Sequence, residues 1–130
     1  MLKNNQRVLV SFPDYNGAGI YMIKNTTTGK VYIGSSRHIL YRAKAHDYSF
    51  RKGTCNYKFL EDVQKGHKFV LEIIEKCDNI ARYQLRDKEE EYVRKFNAYS
   101  EGYNTACVPT YKPEYYKDNK TVLDWLMEEM

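Results

Sequence analysis

The chain has few of the residues that mark secreted or membrane proteins. Only three of its 130 residues are cysteine and only three are proline. The cysteines, Cys55, Cys77 and Cys107, are odd in number and widely spaced, so they predict neither a disulfide framework nor a Cys-x-x-Cys metal or redox pair. No apolar run approaches the length of a membrane span, and the N-terminus lacks a signal-peptide core. We therefore expect a protein without a membrane partner, with reduced thiols, in the cytoplasm.

The composition is that of one ordinary globular domain. Hydrophobic residues make up 42% of the chain and charged residues 29%, and the 13 tyrosines outnumber phenylalanine and tryptophan together. The net charge is only +4, but the charge is unevenly placed. Residues 37–58 hold six Lys or Arg against one acid, whereas residues 87–91 hold four acids and one Lys.

The basic segment is interleaved with aromatic residues, which is typical of a surface that follows nucleic-acid phosphates. A solvated helix face is the alternative interpretation of the same charges. The candidate nucleic-acid-binding residues are Arg37, Lys44, Arg51, Lys52 and Lys58.

Two short segments rich in β-branched and aromatic residues are the strongest strand signals in the sequence. Gly19-Ile20-Tyr21 and Tyr32-Ile33-Gly34 are separated by a polar, Gly-containing turn over residues 24–30. Such a pair predicts a β-hairpin with one tyrosine on each arm. Without further context, the two tyrosines could equally be core aromatics of that hairpin.

The remaining segments predict a small α/β domain. Residues 7–12 form a possible edge strand, and Ser35-Ser36 are a suitable N-cap for a following helix. The later predicted elements are two helices, a strand and a third helix, over residues 37–50, 56–65, 69–74 and 79–97. We expect a mainly antiparallel sheet of about three strands, flanked by these helices.

Two of the predicted helices carry candidate chemistry. On the first, His46 lies in the buried stripe and Arg42 lies at its edge one turn earlier, so both side chains can point at the same place. On the third, Glu89 lies in the middle of an apolar face, whereas Glu90 and Glu91 are expected to point away. A core-facing acid needs a partner, which is either a structural salt bridge or a cation in a cleft.

The order of these features resembles the GIY-YIG nuclease family, whose name spells the two hairpin segments. The resemblance is closest to the catalytic domains of phage-type homing endonucleases and covers about residues 17–106. It implies a catalytic domain over residues 17–106, which leaves an N-terminal extension over 1–16. The composition of residues 107–130 predicts a linker followed by a short helix. The resemblance also implies a metal-dependent DNA endonuclease that hydrolyses phosphodiester bonds, acting inside the host cell if the chain is phage-encoded.

The resemblance assigns roles to residues at matching positions. Tyr21 and Tyr32 match the hairpin tyrosines of the catalytic surface, Arg42 the catalytic arginine, and Glu89 the glutamate that binds Mg²⁺ or another divalent cation such as Mn²⁺. The further matching positions are Lys30 before the second strand, His46 one turn after Arg42, and Asn104 in the closing turn.

Each role has a structural alternative. Arg42 can cover the core with its stem, His46 can be a buried hydrogen-bonded side chain, and Asn104 can be a left-handed turn residue. Tyr21 has an ordinary pKa near ~10, so activating water through it requires help from the metal or from a cation such as Lys30.

One departure from the family pattern motivates a second hypothesis. Some members have a histidine at the start of the short helix, where this chain has Cys55-Asn56, and His67 lies too far along to replace it. The alternative is therefore a nucleic-acid-binding module with the same fold and little or no activity.

Overall fold

A computed structural model of the chain describes residues 7–105. The linker and last helix expected over residues 107–130, and Cys107, lie outside the described residues. Among the helices that are described, none is both long enough and apolar enough to cross a bilayer.

The predicted hairpin is confirmed and forms the centre of a three-stranded antiparallel sheet. Its strands are β1 (Gly19–Asn25) and β2 (Val31–Ser36), and the third strand is β3 (Phe69–Lys76). The spatial order is β2-β1-β3, so β1 is hydrogen-bonded on both sides. In the hairpin register Tyr21 lies opposite Gly34.

Three helices flank the sheet, as the sequence predicted, but their ends differ. They are α1 (Ile39–Lys52), α2 (Tyr57–Gln64) and α3 (Arg82–Lys95). Helix α3 is shorter at both ends than residues 79–97. The reason is that Asn79 and Asn97 have φ values of 57° and 53°, which a right-handed helix cannot include.

The expected N-cap of α1 was wrong. Ser35 and Ser36 are the last residues of β2, and His38 stands at the N-cap position without a side-chain hydrogen bond to the helix. By contrast, Asn56 caps α2, because its side-chain oxygen accepts from the amides of Lys58 and Phe59.

The core lies on both faces of the sheet because strand side chains alternate in direction. Tyr21 and Ile23 belong to the cluster that includes residues of α1 and α2, whereas Ile20 and Met22 belong to the cluster that includes residues of α3. Helices α1 and α2 therefore pack on one face and α3 on the other, and β1 contributes to both clusters.

The possible edge strand over residues 7–12 does not form. Its pairing is reduced to one parallel bridge between Leu9 and Phe69 at the outer edge of β3. Asp47 holds the segment instead, since its Oδ1 accepts from the amides of Val8 at 2.8 Å and Leu9 at 3.0 Å. The single acid of the basic segment is thus a buried structural residue.

The expectation for Glu90 was also wrong. Glu91 is exposed as predicted, but Glu90 is buried and pairs with Arg94 one turn later on α3. Periodicity placed Glu90 outside the apolar face, and the guanidinium of Arg94 provides the partner that its buried charge needs.

Candidate active site

A cleft of about 380 Å³ lies beside the hairpin, the start of α1 and the first half of α3. Tyr21, Tyr32, Arg42 and Glu89 all line it. The other lining residues are Ser35, Ser36, Arg37, His38, Tyr41, Arg82, Leu85 and Arg86. Four of the seven predicted catalytic residues, from the hairpin and two helices, therefore line one cleft.

The side chain of Tyr21 on β1 packs directly against the backbone of Gly34 on β2. A Cβ atom at this position would lie 2.5 Å from both Cζ and Oη of Tyr21. The Tyr21 ring is almost fully buried and occupies that space. Glycine is needed at position 34 because its missing side chain leaves room for the tyrosine of the opposite strand.

The Tyr21 hydroxyl is paired with a neutral histidine. Tyr21 Oη lies 2.7 Å from His46 Nε2, and the two rings meet edge to face. Burial, with the nearby charge of Arg42 as the second cause, lowers the pKa of His46 to about 4. His46 is therefore uncharged near neutral pH and can accept the proton of the Tyr21 hydroxyl.

Both hairpin tyrosines are poor acids in this structure. Burial raises the pKa of Tyr21 well above the ordinary value of 10.0, although the charge of Arg42 opposes the shift. Burial and the charge of Glu89 raise the pKa of Tyr32 to about 12. Neither phenol is ionised in the free protein near neutral pH.

The Glu89 carboxylate has a defined orientation at the cleft wall. Ser35 Oγ donates to Glu89 Oε1 at 2.6 Å, and Arg86 Nη1 lies 3.3 Å from Glu89 Oε2. Burial raises the pKa of Glu89, while the hydrogen bond from Ser35 and the charge of Arg86 oppose that shift. The two alternatives from the sequence thus coexist, because Glu89 has an ion-pair partner and also lines a cleft.

Arg42 contributes positive charge to the cleft from α1. Its guanidinium has no hydrogen-bond or ion-pair partner among residues 7–105. It still acts on Tyr21 and His46 through its charge. A planar guanidinium of this kind, in the same cleft as a carboxylate, is suited to binding a phosphate.

The model of the GIY-YIG catalytic domain family matches residues 17–104 of this chain. The chain belongs to the GIY-YIG family. It is 32% identical over 91 residues to intron-associated endonuclease 1 of Enterobacteria phage T4. That match covers 68% of this chain and 37% of the phage protein, so the chain spans well under half the length of this relative.

Two solved structures share the fold. The catalytic domain of homing endonuclease I-TevI superposes with a TM-score of 0.63 at 32% identity, covering 68% of this chain and 98% of that one. A variant of the catalytic domain of intron endonuclease I-TevI gives a TM-score of 0.65 at 29% identity, covering 72% of this chain and 98% of that one. The three-stranded antiparallel sheet with three helices is the GIY-YIG catalytic fold.

The other three predicted catalytic residues, His46, Lys30 and Asn104, do not line the cleft, although His46 contacts Tyr21 beside it. Lys30 is exposed and lines a separate pocket with Lys24. Asn104 is buried, and its amide is engaged on both sides: Nδ2 donates to the Ile33 carbonyl and Oδ1 accepts from the Ile33 amide, both at 2.9 Å. Asn104 therefore holds the edge of β2, and its φ is not in the left-handed region.

The predicted DNA-binding residues divide into two groups. Arg37, Lys44 and Lys52 are exposed, and Arg37 also lines the cleft while its guanidinium donates to the Ile80 carbonyl at 3.0 Å. Lys44 shares an exposed face of α1 with Tyr41, which is 73% exposed. All three side chains are open to solvent, and of the three only Arg37 lines the cleft.

The other two cations have structural partners. Arg51 Nε donates to Asp47 Oδ2 at 3.1 Å. Lys58 Nζ donates to the carbonyls of Tyr99 at 2.8 Å and Asn104 at 2.6 Å, so it ties α2 to the closing turn. The density of charge along the sequence did not distinguish these residues from the exposed ones.

Seven of the residues that line the cleft were not predicted as site residues. Ser35, Arg82 and Arg86 are among them. Ser35 was interpreted as a helix cap, although its partner Glu89 lies 54 residues away. Arg86 is three residues before Glu89, so helical spacing alone could have indicated that they meet.

The departure at Cys55-Asn56 lies in a second pocket next to the cleft. That pocket, of about 320 Å³, shares Tyr32 and Arg42 with the cleft. Asn56 is occupied as the cap of α2 and also donates to the Tyr103 carbonyl at 3.0 Å. Burial raises the pKa of the Cys55 thiol, so this side chain is neutral.

Proposed function

We propose that this chain is an endonuclease that hydrolyses DNA phosphodiester bonds with the help of one divalent cation, Mg²⁺ or Mn²⁺. The observation that carries the proposal is that Tyr21, Tyr32, Arg42 and Glu89 line one cleft. The endonuclease names of the relative and of the solved structures support it.

The residues present fit a single hard cation. Glu89 offers an oriented carboxylate at the cleft wall, and residues 7–105 contain no cluster of three or more His, Cys, Asp or Glu that could hold a metal ion. One carboxylate is enough for Mg²⁺, because this ion keeps several of its water ligands. When bound, the cation supplies positive charge to phosphate oxygens and lowers the pKa of a coordinated water.

Arg42 is well placed to hold the phosphate. Its guanidinium lines the cleft and has no partner among residues 7–105. The transition state of phosphodiester hydrolysis carries more negative charge on the phosphoryl oxygens than the substrate does. The preoriented guanidinium of Arg42 therefore stabilises the transition state more than the ground state.

Tyr21 and His46 form the proton path of the proposed mechanism. Tyr21 stays protonated in the free protein, so it can accept a proton from water only while it passes its own proton to His46 Nε2, 2.7 Å away. His46 is a weak base at first, in part because Arg42 lowers its pKa. A phosphate bound to Arg42 offsets that charge and makes His46 a better proton acceptor.

The sequence left two sources of help for Tyr21, the metal and a neighbouring cation such as Lys30, and in the proposed path the neighbouring cation is Arg42 instead of Lys30. Lys30 lines a different pocket, and the cation that lowers the pKa of Tyr21 is Arg42. The second candidate, a binding module with little activity, is favoured only by the lack of a histidine at Cys55-Asn56.

A plasmid-nicking assay separates the two candidates. The wild-type chain should nick supercoiled DNA in Mg²⁺, and Glu89→Gln should not, because the amide keeps the shape and removes the charge. Glu91→Gln is the matched control, since Glu91 is exposed on the same helix and does not line the cleft. DNA binding without nicking by the wild-type chain, in either Mg²⁺ or Mn²⁺, would show that the chain is a binding module.

A further inference from the structure

We propose that Arg86 is an ion-pair partner of Glu89 that a divalent cation displaces. Arg86 pairs with the carboxylate until the cation binds, and its guanidinium then binds a DNA phosphate in the same cleft. Arg86 is thus a positioning residue for both the cation and the substrate. The inference rests on the proposed role of Glu89 as the ligand of a divalent cation.

The two partners of the carboxylate differ in charge and in distance. Ser35 approaches Oε1 to 2.6 Å with a neutral hydroxyl, which can stay in place when a cation binds. Arg86 Nη1 lies 3.3 Å from Oε2, which is longer than the roughly 2.7–2.9 Å of a strong charge-assisted hydrogen bond. The arginine is therefore the partner that is easier to displace.

A cation on Glu89 and a guanidinium on Glu89 oppose each other. Both would lie within a few ångströms of the same carboxylate, and their like charges repel each other more strongly there than in bulk water because Glu89 is buried. The Arg86 side chain is 25% exposed, so it has solvent-accessible space into which it can move. Binding of the cation consequently releases Arg86 from Oε2.

The released guanidinium stays at the place where DNA would enter. Arg86 lines the cleft from α3, and Arg42 lines it from α1. An arginine that no longer pairs with a carboxylate presents its planar fork to phosphate oxygens. Binding of the cation therefore strengthens binding of DNA, and by thermodynamic linkage DNA strengthens binding of the cation by the same factor.

The test compares Arg86→Gln with Arg82→Gln in the full chain. Arg82 is one turn earlier on α3 and lines the same cleft, so its substitution removes a matched charge. The two arginines whose charges act on the pKa of Glu89 are Arg86 and, more weakly, Arg42. Isothermal titration with Mn²⁺ without DNA measures the affinity for the cation. Fluorescence anisotropy of a short duplex in Ca²⁺ or in EDTA measures the affinity for DNA.

For Arg86→Gln we expect Mn²⁺ to bind about fivefold or more tightly than in the wild-type chain, because the competing charge is gone. We also expect Ca²⁺ to increase the DNA affinity of the wild-type chain and of Arg82→Gln, but not that of Arg86→Gln. Mn²⁺ affinity that is unchanged or weaker in Arg86→Gln, or an intact Ca²⁺-dependent increase, overturns the inference. Arg86→Met, which keeps the apolar stem, repeats the measurement if the glutamine variant does not fold.

The proposed function is tested separately in the same series. If the wild-type chain binds Mn²⁺ and nicks plasmid, and Arg86→Gln behaves in the same way, only the proposed role of Arg86 is refuted. If the wild-type chain neither binds Mn²⁺ nor nicks plasmid, the proposed function is refuted, and the proposed role of Arg86 is refuted with it.

Discussion

Replacing Gly34 by alanine tests whether the hairpin motif exists to place the Tyr21 hydroxyl. The added Cβ would lie 2.5 Å from Cζ and Oη of Tyr21, well inside the 3.4–4 Å of ordinary van der Waals separation. The ring is enclosed by the core, so the overlap must be relieved by moving it. Overpacking of this kind costs about 1–3 kcal/mol, and a displacement of about 1 Å at a reacting group costs about 10²-fold in rate.

The assay is a double-mutant cycle with Tyr21→Ala. Urea unfolding should show Gly34→Ala to be destabilising by about 1–3 kcal/mol in the wild-type background and close to neutral once the ring is gone. Plasmid nicking by Gly34→Ala should fall by about 10²-fold even where the protein is fully folded. Equal destabilisation in both backgrounds would refute the argument, because the cost would then have nothing to do with Tyr21.

Two further predictions concern charge. Because the pKa of Glu89 is raised, the folded protein binds the proton of this carboxyl more tightly than the unfolded chain does. Protonation of Glu89 therefore stabilises the fold most below pH 4.5, the ordinary pKa of the group. This stabilisation disappears as the pH rises through the pKa of the folded state. In urea unfolding, Glu89→Gln should lose that pH dependence and should be no less stable than wild type at neutral pH. A clearly lower urea midpoint for the variant would mean that the ion pair between Glu89 and Arg86 stabilises the fold. Affinity for DNA should fall steeply as salt rises. The double variant Lys44→Ala with Lys52→Ala should reduce the slope of log affinity against log salt by about 0.9 for each phosphate that these lysines neutralise. An unchanged slope would show that these two lysines do not contact DNA.

The sequence predicted the sheet and the helix order because those features depend on local chemistry. The hairpin follows from its β-branched arms and its glycine-containing turn, where Gly29 has a φ of 79° and closes the loop with an amide-to-carbonyl bond to Asn25. The start of α2 follows from Asn56 as its cap. In each case the partners are a few residues apart.

The errors arose where the partner is distant in sequence. Ser35 is a good helix cap by type, but the carboxylate of Glu89 competes for its hydroxyl across the fold. Asp47 was counted only as a charge, although it holds the amides of Val8 and Leu9. No local pattern contains these hydrogen bonds.

The candidate site was predicted partly from spacing along the helices and partly from the resemblance to the family. Periodicity put Glu89 on the inward face of α3, and the structure places it at the wall of the cleft. The resemblance to the family is the reason for including Lys30, which precedes the second strand, but Lys30 lies at the end of the hairpin and lines another pocket. Residues close together in sequence need not reach the same site, since alternate side chains of a strand point to opposite faces and a turn redirects the chain.

The hydrogen bonds at the two outer strands affect what the edges of the sheet offer to another chain. An unpaired strand edge invites another chain to add to the sheet, and short open sheets are exposed to such aggregation. Here the side chain of Asn104 occupies the main-chain groups of Ile33 on the β2 side. On the β3 side, Phe69 is bonded to the main chain of Val8 and Val10. These two short segments, neither of which lines the cleft, therefore leave fewer main-chain groups at each edge of the sheet for another chain to pair with.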